Sequence, residues 1–298
     1  MMGASALRAT GDARLSGTIL IAGAAMQLIL DPLLILGLLG FPKLGIAGAG
    51  WAMLISRLLL CCFAFYVLCY QKNLISLVQT NIKTTIDSWK KILVVGLPAT
   101  TTNLIGPVST AFIVSLLAEF GQEAVAGFGI AARLEALSII PLLALSASIG
   151  PFVGQNFGAG LLSRANEAMK LSFVWVMAWG LSVAVIFVIF HDPLVRLFDN
   201  NEKVIEIASL YLMIVPISYG LWGVLMVASA TFNSLGKPLA STTLSIIRML
   251  VIYIPFAYLG QYFLGILGIF IAAAVSNALS GLLGYLWNRK TYVSSLEY

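Results

Sequence analysis

The chain has 298 residues, of which 60% are hydrophobic and only 10% charged, with a formal net charge of +5. Soluble domains carry about 25% charged residues, and no aqueous globule of this size can hide so much apolar side chain. A soluble enzyme does not fit, and neither does a nucleic-acid binder, because the 17 Lys and Arg form no stripe but fall in short segments between apolar runs.

A membrane-crossing helix needs about 20 mainly apolar residues. Eight runs meet that length: 15–38, 44–70, 93–118, 124–152, 171–190, 206–231, 239–260 and 264–287. Arg8 and Arg14 before the first run imitate a signal peptide. The run is too long for a signal core, however, and holds Asp31-Pro32 without a convincing cleavage site, so it reads as a retained helix. Cys61, Cys62 and Cys69 lie in the second run without a CxxC pattern and read as buried thiols. The single histidine, His191, sits at a helix end before Asp192-Pro193. One histidine makes no His-rich metal centre and leaves an enzyme without its usual acid–base group, so neither a metal site nor catalysis is expected. Prolines 107, 141, 216 and 255 should interrupt helices, and Gly154 to Gly160 reads as a tight turn.

Charge sets the orientation. With the amino terminus inside and crossings alternating, eleven Lys and Arg fall inside and three, Lys43, Arg196 and Lys203, outside. The expectation is a multi-pass protein of the lipid bilayer with both termini cytoplasmic, and residues 71–92 form a cytoplasmic linker. Arg57, Arg133 and Arg248 remain within helices.

An internal repeat organises the chain. Leu7-Arg8-Ala9-Thr10-Gly11-Asp12 and the helix pair after it resemble Phe232-Asn233-Ser234-Leu235-Gly236-Lys237 and its own pair. Gly45-Ile46-Ala47-Gly48 is matched by Gly265-Ile266-Leu267-Gly268. The first two helices thus correspond to the last two. Residues 93–298 form a complete six-helix lobe, and residues 1–70 form the last two helices of another. By this symmetry about four helices are missing at the front.

Asp31 leads the candidate residues. A carboxylate at the centre of a membrane helix costs about 2.5 to 3.5 kcal/mol and needs a partner, a cation or a proton. Gln27 lies one turn earlier on the same face, and the two supply oxygen ligands for a cation or a site for a titrating proton. The alternative is that Asp31 merely caps a helix break before Pro32. Arg133 and Glu135, two apart, do not face each other, so a buried charge network would draw on Arg57 and Arg248 as well. Asn103, Tyr219 and Trp222 are candidates for a substrate cavity.

Several motifs together resemble the multidrug and toxic compound extrusion (MATE) transporters. They are Leu7 to Asp12, Leu30-Asp31-Pro32-Leu33-Leu34-Ile35, Leu44 to Ala49, Gly96-Leu97-Pro98, Ala131-Ala132-Arg133-Leu134-Glu135 and Val153 to Gly160. They run from end to end in the family's order. The family has twelve helices in two six-helix lobes, so the chain resembles helices five to twelve. The resemblance implies an all-α polytopic bundle and a secondary antiporter of an inner bacterial membrane. It would export organic cations, drugs or amphipathic compounds in exchange for H⁺ or Na⁺, with no other cofactor. It also implies a cation site at Asp31, with Gln27 where relatives carry Asn. Some members have carboxylates midway along the helices matching the third and sixth runs. Here those places hold Asn103, Gly106 and Pro107, and nothing acidic after Glu206, so that second cation site is not carried over. A lipid-linked oligosaccharide flippase of related architecture is the alternative, kept open by Arg57, Arg133 and Arg248.

Overall fold

The computed structural model describes residues 5, 7, 8, 11–71 and 82–294, without the side chains at 13, 71, 82, 83, 95, 98, 99, 101–103 and 292–294. The described chain is all-α. Its elements are α1 (Ala13–Leu36), α2 (Ile46–Tyr66), α3 (Ile82–Ala118), α4 (Gln122–Gly158), α5 (Leu162–Arg196), α6 (Glu202–Ile214), α7 (Tyr219–Ser234), α8 (Pro238–Ile246), α9 (Ile254–Leu264) and α10 (Ile266–Ser294). A tight turn of 3-10 helix, Val215–Ser218, joins α6 to α7, and a wide π-helical stretch, Ile247–Tyr253, joins α8 to α9.

Among the described residues, seven helical stretches are long and apolar enough to cross a bilayer. The eighth expected run, 93–118, lies within α3, whose described apolar part is Leu104–Ala118. Large apolar side chains such as Leu28, Ile46, Val174 and Leu181 point outward. Lipid tolerates them, while the helices keep their backbone hydrogen bonds to themselves.

The chain divides into two compact units, Met1–Thr85 and Ile86–Tyr298. In the first, α1 and α2 pack closely because Gly48 has no side chain: a Cβ there would lie 2.3 Å from the Leu34 carbonyl oxygen. In the second, α7 sits innermost. Glycines again permit contact of backbone with backbone, Gly180 against Gly220 and Gly281 against Leu221. Small residues at crossings are how membrane helices gain packing energy where lipid removes the hydrophobic drive. The core gathers around Ile113, Leu117, Ala131, Leu212 and Phe270, with a second cluster around Leu142, Val153, Met169 and Val176.

The repeat is visible in the backbone. Gly45 (φ 57°, ψ −132°) and Gly265 (φ 61°, ψ −139°) adopt one conformation that a side chain would strain. Each accepts a hydrogen bond from the glycine three residues on, at 3.0 and 3.1 Å. Gly11 and Gly236 are likewise left-handed, with φ of 91° and 70°. Their carbonyl-to-amide bonds match: Gly11 to Arg8 and Asp12 to Leu7 in one copy, Gly236 to Asn233 and Lys237 to Phe232 in the other.

Several expectations need correction. Gly154 to Gly158 is not a turn but the end of α4, and only 159–161 link it to α5. Val153 and Asn156 stay buried against α5, so the helix outlasts its apolar run. Pro141 lies inside α4 and Pro107 inside α3, and helical character changes only near Pro216 and Pro255. Cys61 and Cys62 are exposed and Cys69 half-exposed; a thiol suits a lipid-facing surface as well as a core.

Candidate functional site

Helix α1 runs unbroken through Asp31 and Pro32 and ends at the left-handed Gly37, so Asp31 caps nothing. Its side chain is half-buried, and Oδ1 is closed off from the surroundings without any hydrogen-bond partner. Gln27 is also half-buried, and no hydrogen bond joins the two side chains. Pro32 has no N–H to give the Leu28 carbonyl, which adds a further backbone oxygen beside Gln27.

In the second unit, Glu135 on α4 accepts hydrogen bonds on Oε2 from Tyr211 Oη (2.5 Å) and Tyr219 Oη (2.9 Å). Arg248, in the π-helical stretch, donates from Nε to Asn277 Oδ1 at 3.0 Å. Asn277 Nδ2 in turn donates to Ser218 Oγ at 3.0 Å, and Ser276 Oγ donates to the Arg248 carbonyl at 2.6 Å. The Arg248 guanidinium lies over the Trp222 ring, 4.4 Å from its centre. The two irregular turns therefore carry the polar groups: the tight one presents Ser218, and the wide one presents Arg248 and Tyr253. π-Helical stretches within helices commonly mark such sites.

Two cavities meet at Trp222 and Arg248. One, of about 210 Å³, is lined by Glu135, Tyr211, Tyr253 and Asn277 among others. The other, of about 390 Å³, has Ser146, Ser229, Asn233 and Ser241 in its wall. Gly106, Trp222, Arg248 and Met249 border both.

Only part of the expected charge network is assembled. Arg57 and Arg133 are exposed, while Glu135 and Arg248 are drawn inward. The helical repeat accounts for this on α4: residues two apart point to opposite sides, so turning Glu135 inward leaves Arg133 outside, where its long stem can snorkel. Tyr219 is fully buried and lines neither cavity; its hydroxyl serves Glu135. Trp222 lines both cavities, and Asn103 lies in α3 with its side chain outside the described residues. Sequence reasoning missed Tyr211, Tyr253 and Asn277. The signal for Asn277 was its place in an apolar run beside Ser276 and Ser280, one polar face on an otherwise greasy helix.

Tyr211→Phe leaves Glu135 with a single donor, and the expected loss is about 1–3 kcal/mol of stability, as for a hydrogen bond to a charged group. Thermal unfolding in detergent measures it. An unchanged melting point would show that Glu135 is already neutral or reaches another donor.

Residues 98–259 match the family model described as MatE. The chain belongs to the MATE family. This MATE chain is 34% identical over 285 residues to a protein of Shewanella oneidensis named FAD transporter, an overlap of 96% of this chain and 63% of that one. It is 28% identical over 297 residues to the probable multidrug resistance protein YoeA of Bacillus subtilis, covering 95% of this chain and 64% of that one. Among solved structures, the Vibrio cholerae MATE transporter VcmN in its bent form superposes with a TM-score of 0.85 at 31% identity, over 97% of this chain and 64% of that chain. The chain thus spans just under two thirds of the length of these relatives.

Proposed function

We propose that this MATE chain corresponds to helices five to twelve of a secondary antiporter that exports amphipathic organic compounds in exchange for H⁺ or Na⁺. The observation that carries the reading is Asp31, a carboxylate inside a crossing helix with an enclosed, unpartnered oxygen. A group so costly in lipid is retained where it binds the driving ion. In this reading residues 1–70 supply the last two helices of the amino-terminal lobe, 71–92 a cytoplasmic linker, and 93–298 the carboxy-terminal lobe. The cavities beside Trp222 take the substrate. The names of the relatives offer two kinds of cargo, multiple drugs and FAD. The flippase alternative remains the second reading; of its three candidate cations Arg248 lines both described cavities, and Arg57 and Arg133 are exposed.

The test is reconstitution of a full twelve-helix protein containing this chain into vesicles with an imposed proton or sodium gradient and a fluorescent organic compound. Gradient-dependent movement of the dye supports the reading, and its absence under both gradients overturns it.

Both termini are assigned to the cytoplasmic side by the charge count. In a background with the three cysteines replaced by alanine, Gln122→Cys is expected to react with an impermeant maleimide from outside and Leu161→Cys only from inside. The reverse pattern would invert the topology.

A further inference from the structure

The cavity reading proposed above leaves open the sign of the cargo's charge, and the surroundings of Arg248 bear on it. Among the described residues lining the larger cavity, Arg248 is the only charged side chain. Its Nε is used by Asn277, but Nη1 and Nη2 make no hydrogen bond to any described residue, and neither is sealed away from open space. Glu135 is already held by two tyrosine hydroxyls and borders only the smaller cavity. The guanidinium is therefore held through Nε by Asn277 and braced on Trp222, with the Glu135 charge acting on it from the smaller cavity, while its two Nη groups have no hydrogen-bond acceptor among the described residues.

We infer that Arg248 and Trp222 make the larger cavity a site for a planar aromatic compound carrying a phosphate or carboxylate group. A guanidinium presents parallel N–H groups whose spacing matches two oxygens of such an anion, and these charge-assisted pairs are among the strongest hydrogen bonds available to a protein. Enclosing a cation without an acceptor is costly, and an anionic ligand removes that cost while a cationic one adds repulsion. The aromatic part lies along the indole and against Leu225 and Met226, which line the same wall. The Asn233 carboxamide makes no hydrogen bond to a described residue and is available to the ligand's remaining polar atoms.

The inference rests on the cavity being the substrate site, but its test needs no gradient. The purified 298-residue chain in detergent is titrated by calorimetry with three compounds of similar ring size: 4-methylumbelliferyl phosphate, neutral 4-methylumbelliferone and cationic 1-methylquinolinium. The phosphate is expected to bind roughly 10-fold or more tighter than the neutral ring, and inorganic phosphate to compete. Arg248→Gln should weaken phosphate binding roughly 10- to 100-fold while leaving the neutral ring unchanged, and Arg248→Lys, which keeps the charge but loses the fork, should fall between. Near-ultraviolet circular dichroism checks that each variant is folded. If Arg248→Gln does not fold, the order of affinities in the unaltered chain decides. Tighter binding of the cation, unchanged phosphate binding by folded Arg248→Gln, or no binding of any compound overturns the inference. Phosphate binding without gradient-driven transport would refute the antiport reading and leave this one standing.

Discussion

In the full-length protein, Asp31→Asn is expected to reduce ion-driven export to background while leaving the protein folded. The amide matches the carboxylate in volume but holds neither a charge for Na⁺ nor a titratable proton. No hydrogen bond to a described residue is lost at Oδ1, which makes none. Replacing a charged carboxylate by a neutral amide lowers the cost of holding the group in an apolar helix, so the melting temperature should stay level or rise. Function and stability therefore move in opposite directions, which separates an ion-binding role from a structural one. Vesicle transport at several pH values, alongside thermal unfolding, measures both. Unchanged transport would sink Asp31 as the coupling group, and a large loss of stability would return it to a structural role.

Gly268→Ala is expected to be the most damaging small substitution. The added carbon would lie 2.1 Å from the Gly260 carbonyl oxygen, with no flexible side chain between them to yield. Helices α9 and α10 would have to separate. Overpacking typically costs about 1–3 kcal/mol, and a contact of backbone with backbone belongs at the upper end. The repeat supplies a second case in Gly48→Ala, against Leu34 in the α1–α2 pair. Gly129→Ala is the control: its site is open and its backbone helical, so it should be neutral or gain about 0.5–1 kcal/mol. Thermal unfolding of the three variants tests this, and a Gly268→Ala protein as stable as the control would show that the crossing is not tight.

Much of the architecture was legible because lipid makes hydropathy decisive. A run near 20 apolar residues has little choice but to cross as a helix. The repeat was legible because glycines at positions of positive φ leave a sequence signature, and the matched Gly45 and Gly265 share one such conformation. The site was only half legible. Asp31 stood out because a carboxylate is anomalous in its helix. Arg57 and Arg133 stood out for the same reason and yet lie exposed, because a long cationic side chain has an escape route that a short carboxylate lacks.

The sequence by itself determined the membrane class, the approximate crossings, the repeat and the anomalous carboxylate. All of these depend on composition and local period, which any stretch of chain carries alone. Only the tertiary structure decided which polar groups converge. Glu135 meets Tyr211 and Tyr219 from positions 76 and 84 residues away, and Arg248 meets Asn277 across 29. Those meetings depend on the rotation of each helix about its axis. That rotation is set by glycine crossings and by the irregular turns at Val215–Ser218 and Ile247–Tyr253. In an almost uniformly apolar sequence the helical period is too weak to reveal which face turns inward, so partners separated along the chain become visible only once the helices are packed.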